Sequence, residues 1–198
     1  MFISKLKMSG FKSFADETNV TLESGLNGII GPNGSGKSNI LEAIKWVMGE
    51  SSSKNLRGSG MNDVIFNGSA SKPSKNIAQV VLTIDVNEKD LSKNNKRFVK
   101  SGVVEVERQI LRDAGSTYRI NGKEVKAKEI QFLFADFSSG SRASNIIDQG
   151  SVGNLVTQKP LERRKILDES AGISGITARK IESTNKLEAT KKKSTETI

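Results

Sequence analysis

Eight consecutive residues, Gly31-Pro32-Asn33-Gly34-Ser35-Gly36-Lys37-Ser38, constrain this chain more than any other feature. They follow a short, mostly apolar run, Leu26-Asn27-Gly28-Ile29-Ile30, and precede Ile40, Ile44 and Val47 at helical spacing, with Leu41 and Met48 widening the stripe. Gly49 stands where a helix C′ residue belongs. Strand, glycine turn and helix in that order fit the pattern G-x-x-x-x-G-K-[ST]. Its glycines let the backbone curl into a nest whose N–H groups face phosphate oxygens, and the following helix adds its positive end. Lys37 supplies a cation for β- and γ-phosphates, and Ser38 a hydroxyl for Mg²⁺. The sequence therefore predicts nucleotide binding at residues 31–38.

Composition narrows the alternatives. The 198 residues suit one domain, or one domain with an appendage. Cysteine and histidine are absent, which excludes disulfides, Cys/His zinc sites, thiol nucleophiles and histidine acid–base chemistry. With 5% aromatic residues, a large surface for stacking bases is not expected. No apolar run approaches the roughly 20 residues that a membrane helix needs, and the N-terminus lacks the pattern of a secretory signal. The expectation is a soluble, intracellular protein. Thirty-one Lys and Arg against 22 acids give a net charge of +9, which favours phosphate-rich partners such as nucleotides or nucleic acid.

Along the chain, residues 1–31 read as strands: Phe2, Ile3 and Leu6 lead to a turn at Gly10, Val20 and Leu22 alternate with polar neighbours, and residues 26–30 form the strand before the loop. Residues 50–62, rich in Ser, Gly and Asn, read as a loop. From 77 to 125 the period is two, with Val80, Leu82, Ile84 and Val86 on one face and Val104, Val106 and Ile110 on another. Ala114-Gly115 and Asn121-Gly122 mark turns, so this region is expected to be an antiparallel hairpin layer. Lys89, Lys93, Lys96, Arg97 and Lys100 read as a solvated loop, with DNA contact as the lesser alternative. A helix is expected around 127–136 and a Ser/Gly loop at 138–141. Helical pattern resumes at Pro160. Residues 174–198 are polar, with only Ile176, Ile181 and Leu187 as apolar anchors. They are a frayed tail or the opening of a long helix partnered elsewhere; the heptad signal is poor.

Hydrolysis by a P-loop enzyme also calls for an apolar strand ending in Asp, with a carboxylate to orient water. Val80-Val81-Leu82-Thr83-Ile84-Asp85 reads as a hairpin strand, Phe132-Leu133-Phe134-Ala135-Asp136 as helix, and Ile146-Ile147-Asp148 is too short. None carries an Asp-Glu pair. Either the catalytic half lies in another polypeptide segment, or the chain is a binder or a transferase of another design.

Several motifs carry a resemblance. Gly10-Phe11-Lys12-Ser13-Phe14, the glycine loop continued by Asn39-Ile40-Leu41-Glu42-Ala43-Ile44-Lys45-Trp46-Val47-Met48-Gly49-Glu50, Asn55-Leu56-Arg57-Gly58 and Asp63-Val64-Ile65-Phe66-Asn67-Gly68 come first. Tyr118-Arg119-Ile120-Asn121-Gly122-Lys123, Ile147-Asp148-Gln149-Gly150, Glu162-Arg163-Arg164 and Glu169-Ser170-Ala171-Gly172-Ile173 follow in order along nearly the whole chain. Together they resemble the start of a bacterial SMC (structural maintenance of chromosomes) protein. Ser170 departs from the Ala expected there, and Ser138-Ser139-Gly140 is a poor match to a signature motif. Trp46-Val47-Met48-Gly49-Glu50 separates the chain from related long-coil repair ATPases, and the hairpin layer with the Gln149 context separates it from small-molecule kinases.

The resemblance implies an α/β fold, the N-terminal lobe of an ABC-type P-loop ATPase head with an antiparallel β layer. Residues 1–160 would be the lobe, and residues 161–198 a truncated helix opening a long coiled coil. A C-terminal lobe of the same protein would carry the signature motif and the Asp-Glu strand, so this segment alone is expected to be inactive. By residue, the resemblance implies ATP contacts at Lys12, Ser13, Gly31, Pro32, Asn33, Gly34, Ser35, Gly36, Lys37, Ser38 and Asn39. It makes Ser38 and Gln149 ligands of Mg²⁺, with Gln149 sensing the γ-phosphate. Arg57 matches an arginine in a mobile loop near the γ-phosphate and the DNA face. It further implies a homodimer of heads around ATP, double-stranded DNA and accessory condensin-type subunits as partners, a cytoplasmic, nucleoid-associated location, and a role in chromosome condensation and segregation. The alternatives are a non-catalytic DNA-binding or regulatory fragment and the head lobe of a related long-coil DNA-repair ATPase.

Overall fold

The structure, a computed structural model, describes residues 2–53, 56–86, 93–139, 157, 159–161, 164, 167 and 174–195. The described residues group into two compact units, 1–131 and 132–198.

Alternating apolar residues build the first unit. β1 (Phe2–Ser9), β2 (Thr18–Thr21), β3 (Ile77–Asp85), β4 (Val103–Leu111), β5 (Gly115–Ile120) and β6 (Lys123–Val125) form one antiparallel sheet in the order β2-β1-β3-β4-β5-β6. Because successive strand residues point to opposite faces, Leu6, Met8, Val80, Leu82, Ile84, Val104 and Val106 all fall on the same side and are fully buried. The other face is polar, and there Glu107 accepts hydrogen bonds from Gln79 at 2.9 Å and Arg119 at 2.7 Å. The hairpin layer read from the sequence is therefore present, turns included: Asn121 (φ 48°) and Gly122 (φ 77°) form the two-residue loop joining β5 to β6.

Helix α1 (Lys37–Val47) packs on β3 and β4. It ends as the sequence predicts, in a Schellman cap: the Glu50 N–H donates to the Lys45 carbonyl, the Gly49 N–H to that of Trp46, and Gly49 takes φ 107°. Its buried face differs from the predicted stripe. Glu42, Ala43, Trp46 and Val47 are buried, whereas Ile40, Leu41, Ile44 and Met48 are only half-buried. The sheet occupies one side of the helix, and the apolar pattern covers more than that side.

The largest correction is at residues 26–30. They form no strand, and Leu26 and Ile30 are almost wholly exposed, at 103% and 95%. An apolar run becomes a strand only when neighbours accept its ladder of hydrogen bonds, and none of the described strands does so.

The loop at 50–62 runs into a 3-10 turn at Met61–Val64. Within the lysine-rich segment, residues 87–92 lie outside the described residues, while Lys93–Lys96 form a single helical turn, α2. Helix α3 (Ala127–Ser139) begins where expected and continues through Ser138 and Ser139, where the sequence pattern predicts a loop. In the second unit, α4 (Ser174–Thr195) is one continuous helix of 22 residues, with Ile176, Ile181 and Leu187 all more than half exposed. It forms as a long helix rather than a frayed tail. No helix among the described residues is long and apolar enough to cross a membrane.

Candidate nucleotide site

The glycine loop spans residues 31–36 and delivers the chain into α1 at Lys37. Gly34 (φ 82°) and Gly36 (φ 90°) adopt backbone that an L side chain disfavours. A Cβ on Gly36 would also lie 2.7 Å from the Ser13 hydroxyl, so the floor of the loop admits only glycine. Gly36 is the N-cap and contributes no side chain, and no acid sits in the first turn of α1. The positive helix end is therefore left available to an external anion. Lys37 folds back over the loop, its Nζ donating to the carbonyls of Gly31 and Pro32 at 2.6 Å each. That places an ammonium at the rim of the glycine loop, beside a helix N-terminus that has no side-chain cap, a pairing suited to a polyphosphate.

The turn at 10–14 is fastened beside this loop. The Asn39 side-chain amide donates to the Ser13 hydroxyl at 2.8 Å. Lys12, in left-handed backbone at φ 47°, donates its ammonium to the Glu42 carboxylate and to the Leu56 carbonyl. Arg57, also left-handed at φ 50°, pairs through Nε and Nη2 with the other Glu42 oxygen. Glu42 lies one helical turn from Ser38, on the same face of α1. One buried carboxylate thus gathers two cations from two loops.

The Arg57 loop is shaped from within. Asp63 accepts from the backbone N–H groups of Ser59 and Gly60 at 2.6 and 2.9 Å, and from the Ser59 hydroxyl at 2.8 Å. Those bonds, the Gly60 amide first, hold the Asp63 carboxyl below its ordinary range.

At the far end of α1, Arg108 on β4 is buried. It donates to the carbonyls of Trp46 and Glu50 at 2.8 and 2.7 Å, and its guanidinium lies over the rings of Trp46 and Tyr118. Burial pulls the Arg108 pKa down and pushes that of Tyr118 up, so the phenol stays neutral across the physiological range.

The structure thus brings Lys12, Ser13, Asn39 and Arg57 to the helix that Gly31 to Ser38 open. Gln149 lies outside the described residues. Among the described residues no group of three or more acidic side chains is placed to hold a metal ion. Sequence reasoning passed over Glu42 and Arg108. Glu42 was open to detection as an acid inside an apolar helical stretch four residues after Ser38. Arg108 looked like any charge in an alternating strand.

Loop, helix and sheet together define a P-loop nucleotide-binding lobe, its loop and helix inserted between β2 and β3 of an antiparallel sheet. Residues 2–141 match the family described as RecF/RecN/SMC N terminal domain, and the chain belongs to that family. Its relatives include the chromosome partition protein Smc of Cereibacter sphaeroides, 46% identical over 195 residues, and that of Myxococcus xanthus, 45% identical over 191. Each match covers 96% of this chain but 16% of the relative, so the chain spans about a sixth of the length of these proteins. Among solved structures, the Smc head domain with an extended coiled coil bound to the C-terminal domain of ScpA, from Pyrococcus furiosus, matches with TM-score 0.73 and 30% identity over 97% of this chain and 47% of that one. A structure described as the structural biochemistry of ATP-driven dimerization and DNA stimulated activation of SMC ATPases matches with TM-score 0.72 and 30% identity. That match covers 85% of this chain and 99% of that chain.

Proposed function

We propose that this chain is the ATP-binding lobe of an SMC-type ATPase head, acting in a DNA-bound machine that organises and segregates chromosomes. One observation carries the reading: the glycine loop opens α1 with Lys37 folded over it, while the apolar run just before it stands exposed. A glycine loop of this build beside an uncovered apolar run is what half of a two-lobed head presents. On this reading residues 1–160 form the lobe and residues 161–198 lead into the coil. The C-terminal lobe lays a strand against residues 26–30 and supplies an apolar strand ending in an Asp-Glu pair, which none of the described strands of this chain provides.

In the nucleotide site, the backbone N–H groups of residues 33–38 and the Lys37 ammonium bind the phosphates, and Ser13 and Asn39 line the rim. Magnesium would neutralise charge on the β- and γ-oxygens. Ser38 and Gln149 would hold it. The net charge of +9 favours double-stranded DNA as a partner. Likeness to heads solved with ScpA supports an accessory subunit of that kind, and likeness to SMC ATPases described with ATP-driven dimerization supports a second head.

The test is reconstitution. The lobe alone should bind ATP·Mg weakly and turn over almost none, and turnover should appear when the C-terminal lobe is added. Brisk hydrolysis by the 198 residues alone would contradict the proposal. A salt titration of duplex binding separates this reading from the purely DNA-binding alternative: the latter retains salt-sensitive DNA affinity after Lys37→Ala and gains no turnover from the added lobe.

A further inference from the structure

The sequence contains four Asn-Gly pairs, Asn27-Gly28, Asn33-Gly34, Asn67-Gly68 and Asn121-Gly122. Glycine leaves the backbone nitrogen after an asparagine unshielded and free to turn, so all four share one latent reaction, attack of that nitrogen on the side-chain amide carbon. The structure separates them by what holds each side chain. Asn27 donates to the carbonyls of Glu23 and Gly25 at 2.7 and 3.3 Å and accepts from the Glu23 N–H at 3.0 Å. Asn67 accepts from Arg112 at 3.2 Å. Asn121 donates to the Phe98 carbonyl and accepts from the Glu105 N–H at 2.9 Å.

Asn33 differs. It and Gly34 are exposed, and among the described residues neither its side-chain amide nor the Gly34 N–H has a hydrogen-bond partner. One bond of 3.3 Å, from the Ser35 N–H to the Pro32 carbonyl, closes the turn they form, and a Cβ on Gly34 would meet nothing within 4 Å. Bringing the Gly34 nitrogen onto the Asn33 side chain therefore breaks one long bond. At the other three positions side-chain bonds must be given up first.

We propose that Asn33-Gly34 is a site of self-modification by deamidation, open when no nucleotide is bound and closed by a bound one. The Gly34 nitrogen bonds to the Asn33 side-chain carbon, the C–Nδ2 bond breaks, and ammonia leaves with the proton that Gly34 gives up. Water then adds to either carbonyl of the cyclic imide and opens the ring, leaving aspartate or isoaspartate at position 33. Either product puts a carboxylate into the loop that Lys37 folds over, where the Lys37 ammonium meets the Gly31 and Pro32 carbonyls. That charge opposes a triphosphate, and isoaspartate also lengthens the main chain within the loop. A bound phosphate acts in reverse: it engages the N–H groups of the loop and fixes the turn, so the nucleophile is withdrawn. Closure by nucleotide rests on the ATP-site reading above; the ranking of the four asparagines does not.

The experiment incubates the full-length protein in mildly alkaline buffer, alone, with magnesium and a fluorescent non-hydrolysable ATP analogue, and in urea. Peptide mass mapping follows the conversion of amide to acid at all four asparagines, and binding of the analogue is titrated in parallel. In native buffer Asn33 should convert about tenfold faster than Asn27, Asn67 or Asn121, the factor that one net hydrogen bond sets. Urea should bring the four rates together. Analogue at about ten times its Kd or more should slow Asn33 about tenfold, as the unliganded fraction falls, and leave the other three unchanged. Asn33→Asp, checked for folding by its melting curve, should bind the analogue about tenfold or more weakly. Conversion at Asn33 no faster than at the tied asparagines, a ranking that persists in urea, an Asn33 rate unchanged by bound analogue, or undiminished affinity in Asn33→Asp would each overturn the proposal. A wild-type protein that does not bind the analogue would instead refute the ATP reading, and the ranking of the four rates would still decide whether Asn33 is the site.

Discussion

Arg108 reaches from β4 to the end of α1 and donates to the Trp46 carbonyl at 2.8 Å, while its guanidinium carbon stands 4.5 Å from the centroid of that residue's ring. One side chain therefore satisfies the helix end and packs on the largest buried side chain of the core. The helix whose first turn forms the candidate nucleotide site is anchored to the sheet at its last turn by this contact. Replacing Arg108 with Leu should destabilise the protein by about 2–4 kcal/mol, since buried carbonyls lose their donor and two ring faces lose a cation. Arg108→Lys should recover little, because an ammonium cannot lie flat between two rings. Chemical denaturation reads both; a loss below about 1 kcal/mol for Arg108→Leu would reject the anchor.

Lys37→Ala should reduce ATP affinity by about a hundredfold or more, since it removes the charge-assisted contact to phosphate. Stability should change little, because the Lys37 bonds to Gly31 and Pro32 are exposed. Isothermal titration alongside a melting curve separates the two quantities.

Gly10 tests the turn that carries Lys12 and Ser13. It sits at φ 62°, and a Cβ there would come within 2.1 Å of the Ile77 backbone oxygen. Its N–H and carbonyl also bond to Ala15 and Phe66. Gly10→Ala should cost about 3 kcal/mol or more, through strain and a forced backbone shift. Urea unfolding of the variant would show a cost under about 1 kcal/mol if the turn could relax.

Asp63 gives the Arg57 loop a pH dependence of known sign. Its folded pKa is lowered, first by the Gly60 amide, so its contribution to stability is complete above the ordinary carboxylate value and is lost as pH falls through the folded one. The stability difference between wild type and Asp63→Ala should be constant from pH 7 down to about pH 5 and should shrink below about pH 4. Denaturation midpoints across that range check it; a gap that widens on acidification would reverse the assigned sign.

Leu26 and Ile30 should matter for association and not for the fold of this chain. Changing both to Ser should alter stability by no more than about 0.5 kcal/mol, because both are already exposed. Co-purification with the C-terminal lobe should fall sharply. An unaffected complex would place the docking surface elsewhere.

The comparison of sequence with structure divides along the range of the interactions. The alternation in β3 and β4, the Asn121-Gly122 turn and the Gly49 cap were all legible, as was the glycine loop. Predicted strand 26–30 was not formed, because its apolar residues reported a preference for burial without saying which chain would cover them. The buried face of α1 was rotated from expectation for the same reason: an apolar stripe marks every surface that avoids water, including ones the sheet of this chain does not reach.

What the amino-acid sequence determined unaided is what short-range sterics decide: where glycine must relieve a positive φ, where a helix starts at Lys37 and stops at Gly49, and which loop can wrap a phosphate. Only the tertiary structure decided that Glu42 would hold Lys12 and Arg57, lying 30 and 15 residues away, and that Arg108 would reach Trp46 across 62. Those contacts depend on loops closing over long separations onto a common buried point, and no local pattern of residues encodes which distant partner arrives there.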